Sequence, residues 1–136
     1  MPVPRVILVE DNADDEFFFL RTWDKAGLRG NVQALRDGNE LVTGLEALRS
    51  GSAERPCLVF LDSVIQPLST EEICGAIENL GTNIPIILLS GAEDSPLERR
   101  LEKGRLVRVL RKPITVATLR ESVLQHCPNL DSGLTP

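Results

Sequence analysis

Val6-Ile7-Leu8-Val9-Glu10-Asp11 is the stretch on which the fold turns. Four apolar residues, three of them β-branched, form a compact run that reads as a strand buried on both faces. Two carboxylates follow it directly. Four more short apolar runs lie downstream, at Val32–Arg36, Leu58–Leu61, Ile84–Leu89 and Leu106–Leu110. Helix-period segments separate them. Asp14 to Ala26 carries acids in its first turn and has Gly27 after its end. Leu41, Val42, Leu45 and Leu48 share one helix face, and Ile73, Ala76, Ile77 and Leu80 share another. Pro96 can open a short helix with Leu97 and Leu101, and Val116, Leu119 and Val123 mark a last one that stops near Pro128. Strands alternating with helices predict parallel βα units in an open sheet covered on both faces. The tail Asn129–Pro136 is polar and is expected to be mobile.

Composition narrows the function. The chain has 136 residues, 42% of them hydrophobic and 26% charged, with a formal net charge of −5. That describes one soluble globular domain. A net acidic chain argues against a general nucleic-acid binder, which needs basic surface against phosphates. Three cysteines, Cys57, Cys74 and Cys127, are odd in number and widely spaced, as expected of reduced thiols in a cytoplasmic protein. Arg5 and the acids from Glu10 interrupt the first apolar stretch, so no secretory signal is expected there. The longest apolar stretch, around Ile84–Leu89, is far too short to span a bilayer. A single histidine makes histidine metal sites and Ser–His–Asp catalysis poor readings. Five acids, Glu10, Asp11, Asp14, Asp15 and Glu16, sit in one short segment, and without them acidic and basic residues balance.

Ligands in open α/β sheets gather at the carboxyl ends of the strands. Those ends carry Glu10 and Asp11 after the first strand, Asp62 after the third, Ser90-Gly91 after the fourth and Lys112 after the fifth. Carboxylates brought that close raise each other's pKa unless a cation joins them, and a donor set of oxygens alone suits Mg²⁺. An aspartate such as Asp62 can act as a nucleophile toward phosphorus. Lys112 would stabilise the phosphoryl oxygens, and Ser90 would donate a hydrogen bond to one of them. The residues point to a phospho-accepting aspartate.

At these positions the sequence resembles the receiver domain of two-component response regulators. The matching motifs are Val6–Asn12, Leu61-Asp62, Leu88-Leu89-Ser90-Gly91 and Arg111-Lys112-Pro113, with Ser90 and Lys112 lying 28 and 50 residues after Asp62. The resemblance spans residues 4–126 as a receiver domain and leaves 127–136 as a short tail. The stretch Val9–Phe17 looks most like small stand-alone receivers, including those paired with phytochrome-type kinases. The resemblance implies a flavodoxin-like, doubly wound five-stranded parallel sheet of order 2-1-3-4-5. It implies that Asp62 takes a phosphoryl group from a histidine kinase or a phosphotransfer protein. Asp11, Asp62 and the backbone carbonyl of Val64 would bind Mg²⁺, with Glu10 acting through metal-bound water. Lys112 would contact the phosphoryl group, and Ser90 would be the switch hydroxyl. Such a chain signals through protein contacts and is no enzyme in its own right. The family often forms dimers and often has a cis bond at the position of Pro113.

Some positions depart from the family pattern. Val109 stands where a Tyr or Phe is usual, and the loop after Asp62 has its proline one place late and lacks the usual glycine. These departures favour an alternative, a degenerate receiver acting as an interaction or dimerisation module. The intact Glu10, Asp11, Asp62, Ser90 and Lys112 oppose it. In the family that this sequence resembles, the positions of Val64 and Ala92 flank the attacking water; both are apolar here, so self-dephosphorylation is expected to be slow. Asp14, Asp15 and Glu16 read as helix-start charges. Phe17-Phe18-Phe19 cannot all face one way, because helix positions turn by about 100° each. At least one ring is expected at the surface, where a kinase could grip the helix through Phe18 or Phe19, with Trp23 sharing that surface. Arg108 and Arg111 suit an edge strand.

Overall fold

The computed structural model describes residues 5–49, 56–62, 75, 84–91 and 106–133. Five strands, β1 (Arg5–Val9), β2 (Asn31–Leu35), β3 (Leu58–Asp62), β4 (Ile86–Ser90) and β5 (Leu106–Arg111), form one parallel sheet of order β2-β1-β3-β4-β5. Three helices are described: α1 (Ala13–Lys25), α2 (Gly38–Arg49) and α3 (Val116–His126), followed by a 3₁₀ turn at Pro128–Leu130. The segments expected to be helical around Ile73–Leu80 and Pro96–Leu101 lie outside the described residues, as do Cys74, Val64 and Ala92.

The three central strands form where β-branched and leucine side chains can be buried on both faces. β3 and β4 are buried along their whole length. β4 starts two residues later than the apolar run suggests, because Ile84 and Pro85 precede it; Pro85 accepts from the backbone N–H of Val59. Edge strand β2 is half-buried, which explains its weaker apolar pattern. Edge strand β5 carries Arg108 and Arg111 as expected, and Arg108 lies 3.4 Å from Glu121 of α3.

Strand alternation divides the core. Val6, Leu8, Leu58, Phe60, Ile87, Leu89 and Leu110 face a cluster with Phe19 and Trp23 of α1 and Leu119 and Val123 of α3. Ile7, Val9, Val59, Leu61, Ile86 and Leu88 alternate with them and are equally buried. Full burial of one such side chain stabilises by about 1.5–3 kcal/mol. Phe19 meets Phe60 edge-on at 5.0 Å and stacks with Trp23 at 6.3 Å. Phe19 and Trp23 are therefore core residues, 5% and 3% exposed, and neither offers a surface to a kinase, unlike Phe17 and Phe18.

Local capping sets the helix limits. Asn12 is the N-cap of α1 and accepts from the backbone N–H of Asp15 at 3.0 Å. α1 thus starts at Ala13, one residue before the first acid of its opening turn. At its other end Gly27 takes a positive φ of 67°, which a residue with a Cβ adopts poorly.

The tail is not free as far as Gly133. Leu130 is completely buried, and its carbonyl accepts from the Arg29 N–H at 2.8 Å. The Ser132 backbone N–H donates to Gly27, Asp131 bridges to Leu28, and Arg120 pairs with Asp131 at 2.8 Å. Polarity along the sequence predicts mobility, but one buried leucine and a set of backbone bonds clasp the tail to the α1–β2 turn. Cys127, at the end of α3, is also buried, and it and Cys57 are free thiols. We expect Leu130→Ala to cost about 2–5 kcal/mol in urea unfolding. A loss near zero would show that the clasp adds nothing to the core.

Candidate functional site

The same alternation that builds the core also builds the site. Val6, Leu8 and Glu10 fall on one side of β1 and its extension, Leu58, Phe60 and Asp62 on one side of β3, and Leu110 and Lys112 on one side of β5. The apolar members of each series lie in the core under α1 and α3. The polar members come last, at the carboxyl ends, facing the start of α1. A period of two residues is enough to place them there.

Backbone bonds hold these ends in register. The N–H of Glu10 donates to Leu35 at 2.9 Å, and the N–H of Lys112 donates to Ser90 at 2.9 Å. Asp62 is registered opposite Leu89, so Ser90 lies one step beyond it on the neighbouring strand. Glu10, Asp62 and Ser90 are buried, whereas Asp11 is exposed at the rim. The peptide bond between Lys112 and Pro113 is cis.

The Lys112 ammonium is the centre of the site. Its Nζ lies 3.0 Å from Asp62 Oδ2, 3.2 Å from Glu10 Oε1 and 3.1 Å from Asp15 Oδ2. The second oxygen of Glu10 accepts from the N–H of Asn12 at 3.4 Å. Burial disfavours the charge of Lys112, but its hydrogen bonds to Asp62 and Asp15 and the nearby carboxylates outweigh it and push its pKa up. Glu10 moves the other way for an acid. Burial, with the Asp62 carboxyl beside it, raises its pKa to about 8 against the pull of Lys112.

One lysine does not satisfy this many carboxylates. Oxygens of Glu10, Asp11 and Asp62 all lie within 4.8 Å of one another, a donor set of hard oxygens that suits a small divalent cation. The expected fourth oxygen, the Val64 carbonyl, lies outside the described residues.

The structure thus gathers Glu10, Asp11, Asp62 and Lys112 and sets Ser90 at the same sheet edge. It also adds Asp15, which the sequence pattern assigns to the helix start. Nothing in the spacing says that this acid reaches a lysine 97 positions away. Val109 is half-buried on β5, registered opposite Leu88. A cavity of about 570 Å³ opens beside the site, lined by Glu10, Asp15, Phe18, Lys112 and Ile114 among others. Phe17 and Phe18 stand in the solvent, 59% and 61% exposed, with their rings edge-to-face at 5.9 Å. Two of the three rings thus stand at the surface, where helix geometry requires at least one.

No family model matches the chain. Among characterised proteins it is 26% identical over 121 residues to "Probable methanogenesis regulatory protein FilR2" of Methanothrix harundinacea, covering 87% of this chain and 77% of that one. Among solved structures it superposes on response regulator RPA3017, in red light signaling of R. palustris. That match has a TM-score of 0.76 at 19% identity and covers 98% and 99% of the two chains. It also superposes on the receiver domain of sensor histidine kinase PA1611 from Pseudomonas aeruginosa PAO1, which has a magnesium ion in its active site cleft. There the TM-score is 0.73 at 21% identity, over 91% and 97% of the chains. The bacteriophytochrome response regulator AtBRR gives a TM-score of 0.76 at 22% identity, over 93% and 94%. Strand order, the acidic mouth at the strand ends and these superpositions agree: the chain has the receiver-domain fold of response regulators.

Proposed function

We propose that this chain is a phospho-accepting receiver, in which Asp62 takes a phosphoryl group from the phosphohistidine of a sensor kinase or phosphotransfer protein. One observation carries the reading: a buried carboxylate, Asp62, sits 3.0 Å from a lysine ammonium and within a carboxylate group fit for a divalent cation. In the transfer, an Asp62 oxygen forms a bond to phosphorus as the phosphorus–nitrogen bond breaks, and the bonding pair leaves with the imidazole. Lys112 offers its positive charge to the equatorial oxygens. Ser90, at the end of β4, supplies a hydroxyl for the phosphorylated state. Asp11 and Asp62 would hold Mg²⁺ directly and Glu10 through water. The bound ion would offset the carboxylate charge and draw electron density from the phosphoryl oxygens.

The exposed ring of Phe18 lines the cavity beside Asp62's partner Lys112, which suits contact with an incoming phosphodonor domain. Red-light response regulators among the structural relatives make a phytochrome-type kinase the first donor to test. The signal would then pass by protein contact, with no substrate turned over by this chain.

Incubation with acetyl phosphate and Mg²⁺ should add one phosphoryl group to the intact mass, and Asp62→Asn should add none. No gain in the wild type would favour the degenerate interaction module. Phe18→Ala should slow transfer from a cognate kinase by about tenfold while leaving labelling by acetyl phosphate unchanged. Equal kinase rates would remove Phe18 from the docking surface. Metal binding and pH should also be linked. Because the folded pKa of Glu10 is raised, its contribution to stability is full below about pH 4.5 and is lost as pH rises through about 8. Thermal stability in chelator should therefore fall over that window. Mg²⁺ binds the ionised site, so it should raise the melting temperature more at the alkaline end than at the acid end. An Mg²⁺ effect that is flat with pH would contradict the linkage.

A further inference from the structure

Lysine has three N–H donors, and here three carboxylates surround them: Glu10 at the end of β1, Asp62 at the end of β3 and Asp15 in the first turn of α1. Asp15 differs from the other two. It stands outside the Glu10, Asp11 and Asp62 group, and its side chain is 44% exposed where theirs on Lys112 are buried. Its backbone is fixed, because its N–H donates to the Asn12 cap at 3.0 Å. Lys112 in turn follows the edge strand β5, with its N–H tied to Ser90. The bridge at 3.1 Å therefore joins the start of α1 to the end of β5 across the mouth of the site.

Resting on the receiver reading above, we infer that Asp15 is a positioning residue for phosphoryl transfer, holding the Lys112 ammonium at the mouth when Asp62 gives up its own pairing. The need for such a tether follows from charge. Before transfer, Asp62 and Glu10 hold Lys112. During transfer, Asp62 would engage phosphorus and Glu10 would serve a bound cation, so that neither would be free to hold the ammonium. Without a third anchor, the lysine side chain, 24% exposed, has rotamers that lead out to solvent. Asp15 is the anchor that neither the nucleophile nor the cation competes for. It touches none of the reacting atoms and acts only through Lys112. It also ties the chemistry to α1, the helix that displays Phe17 and Phe18.

The test compares initial rates of phosphorylation by acetyl phosphate with saturating Mg²⁺, across donor concentration, for the full chain. Asp15→Asn should lower the rate at saturating donor by about fivefold, the scale of one charge-assisted contact at a partly exposed site, without raising the half-saturating donor concentration. Asp15→Glu should restore most of the rate, because it returns the carboxylate to Lys112. Asp14→Asn removes the same charge from the neighbouring exposed position and should leave the rate unchanged, which separates tethering from general electrostatics. In a Lys112→Ala background, Asp15→Asn should have no further effect. Melting temperatures of all variants report whether each is folded. A wild-type saturating rate in folded Asp15→Asn overturns the inference, as does an equal loss in Asp14→Asn. If the wild type itself gains no phosphoryl group, the receiver reading fails first and takes this inference with it. Those two failures are therefore distinct in the same experiment.

Discussion

The ammonium of Lys112 set among carboxylates from three separate elements is the interaction on which the functional half of this molecule depends. Parallel strands buried on both faces bring their carboxyl ends together at one edge of the sheet, and three of those ends carry acids or a base on the same side. Glu10 is thereby buried beside Asp62, and that burial first, with the Asp62 carboxyl second, raises its pKa. One lysine offsets part of the carboxylate charge, and a hard cation would offset the rest. A site with this imbalance is short of positive charge, which is what a small divalent cation would supply.

The opposite side of the molecule has another task. Cys127, Leu130 and the residues that follow close the end of the core that lies under α1 and α3, with Arg120 and Asp131 paired over it. This clasp fixes the end of α3 against the α1–β2 turn through Arg29, Gly27 and Leu28. α1 is thereby held at both ends, by the clasp behind and by the Asn12 cap and the Asp15–Lys112 bridge in front. A helix fixed in this way can present Phe17 and Phe18 to a partner at low cost in conformational entropy. Val109 on β5 is half-buried opposite Leu88, whereas α1 both reaches the site through Asp15 and displays Phe17 and Phe18 at the surface.

The five apolar runs, their alternation with helix-period segments and the acids after the first and third runs are legible in the sequence because burial imposes periods of 2 and 3.6 residues. Those periods determine the α/β class, and the polar strand ends single out Glu10, Asp11, Asp62, Ser90 and Lys112 as the candidate site. Motif resemblance adds the strand order. Contacts between residues remote in sequence leave no period to read. The burial of Trp23 depends on which side of α1 meets Phe60, the clasping of a polar tail depends on one leucine finding the core, and the recruitment of Asp15 depends on where α1 starts relative to Lys112. Local pattern fixed what could be buried and what could ionise; only the packed tertiary structure decided which charges met, because ion pairs and core contacts form across space while periodicity acts along the chain.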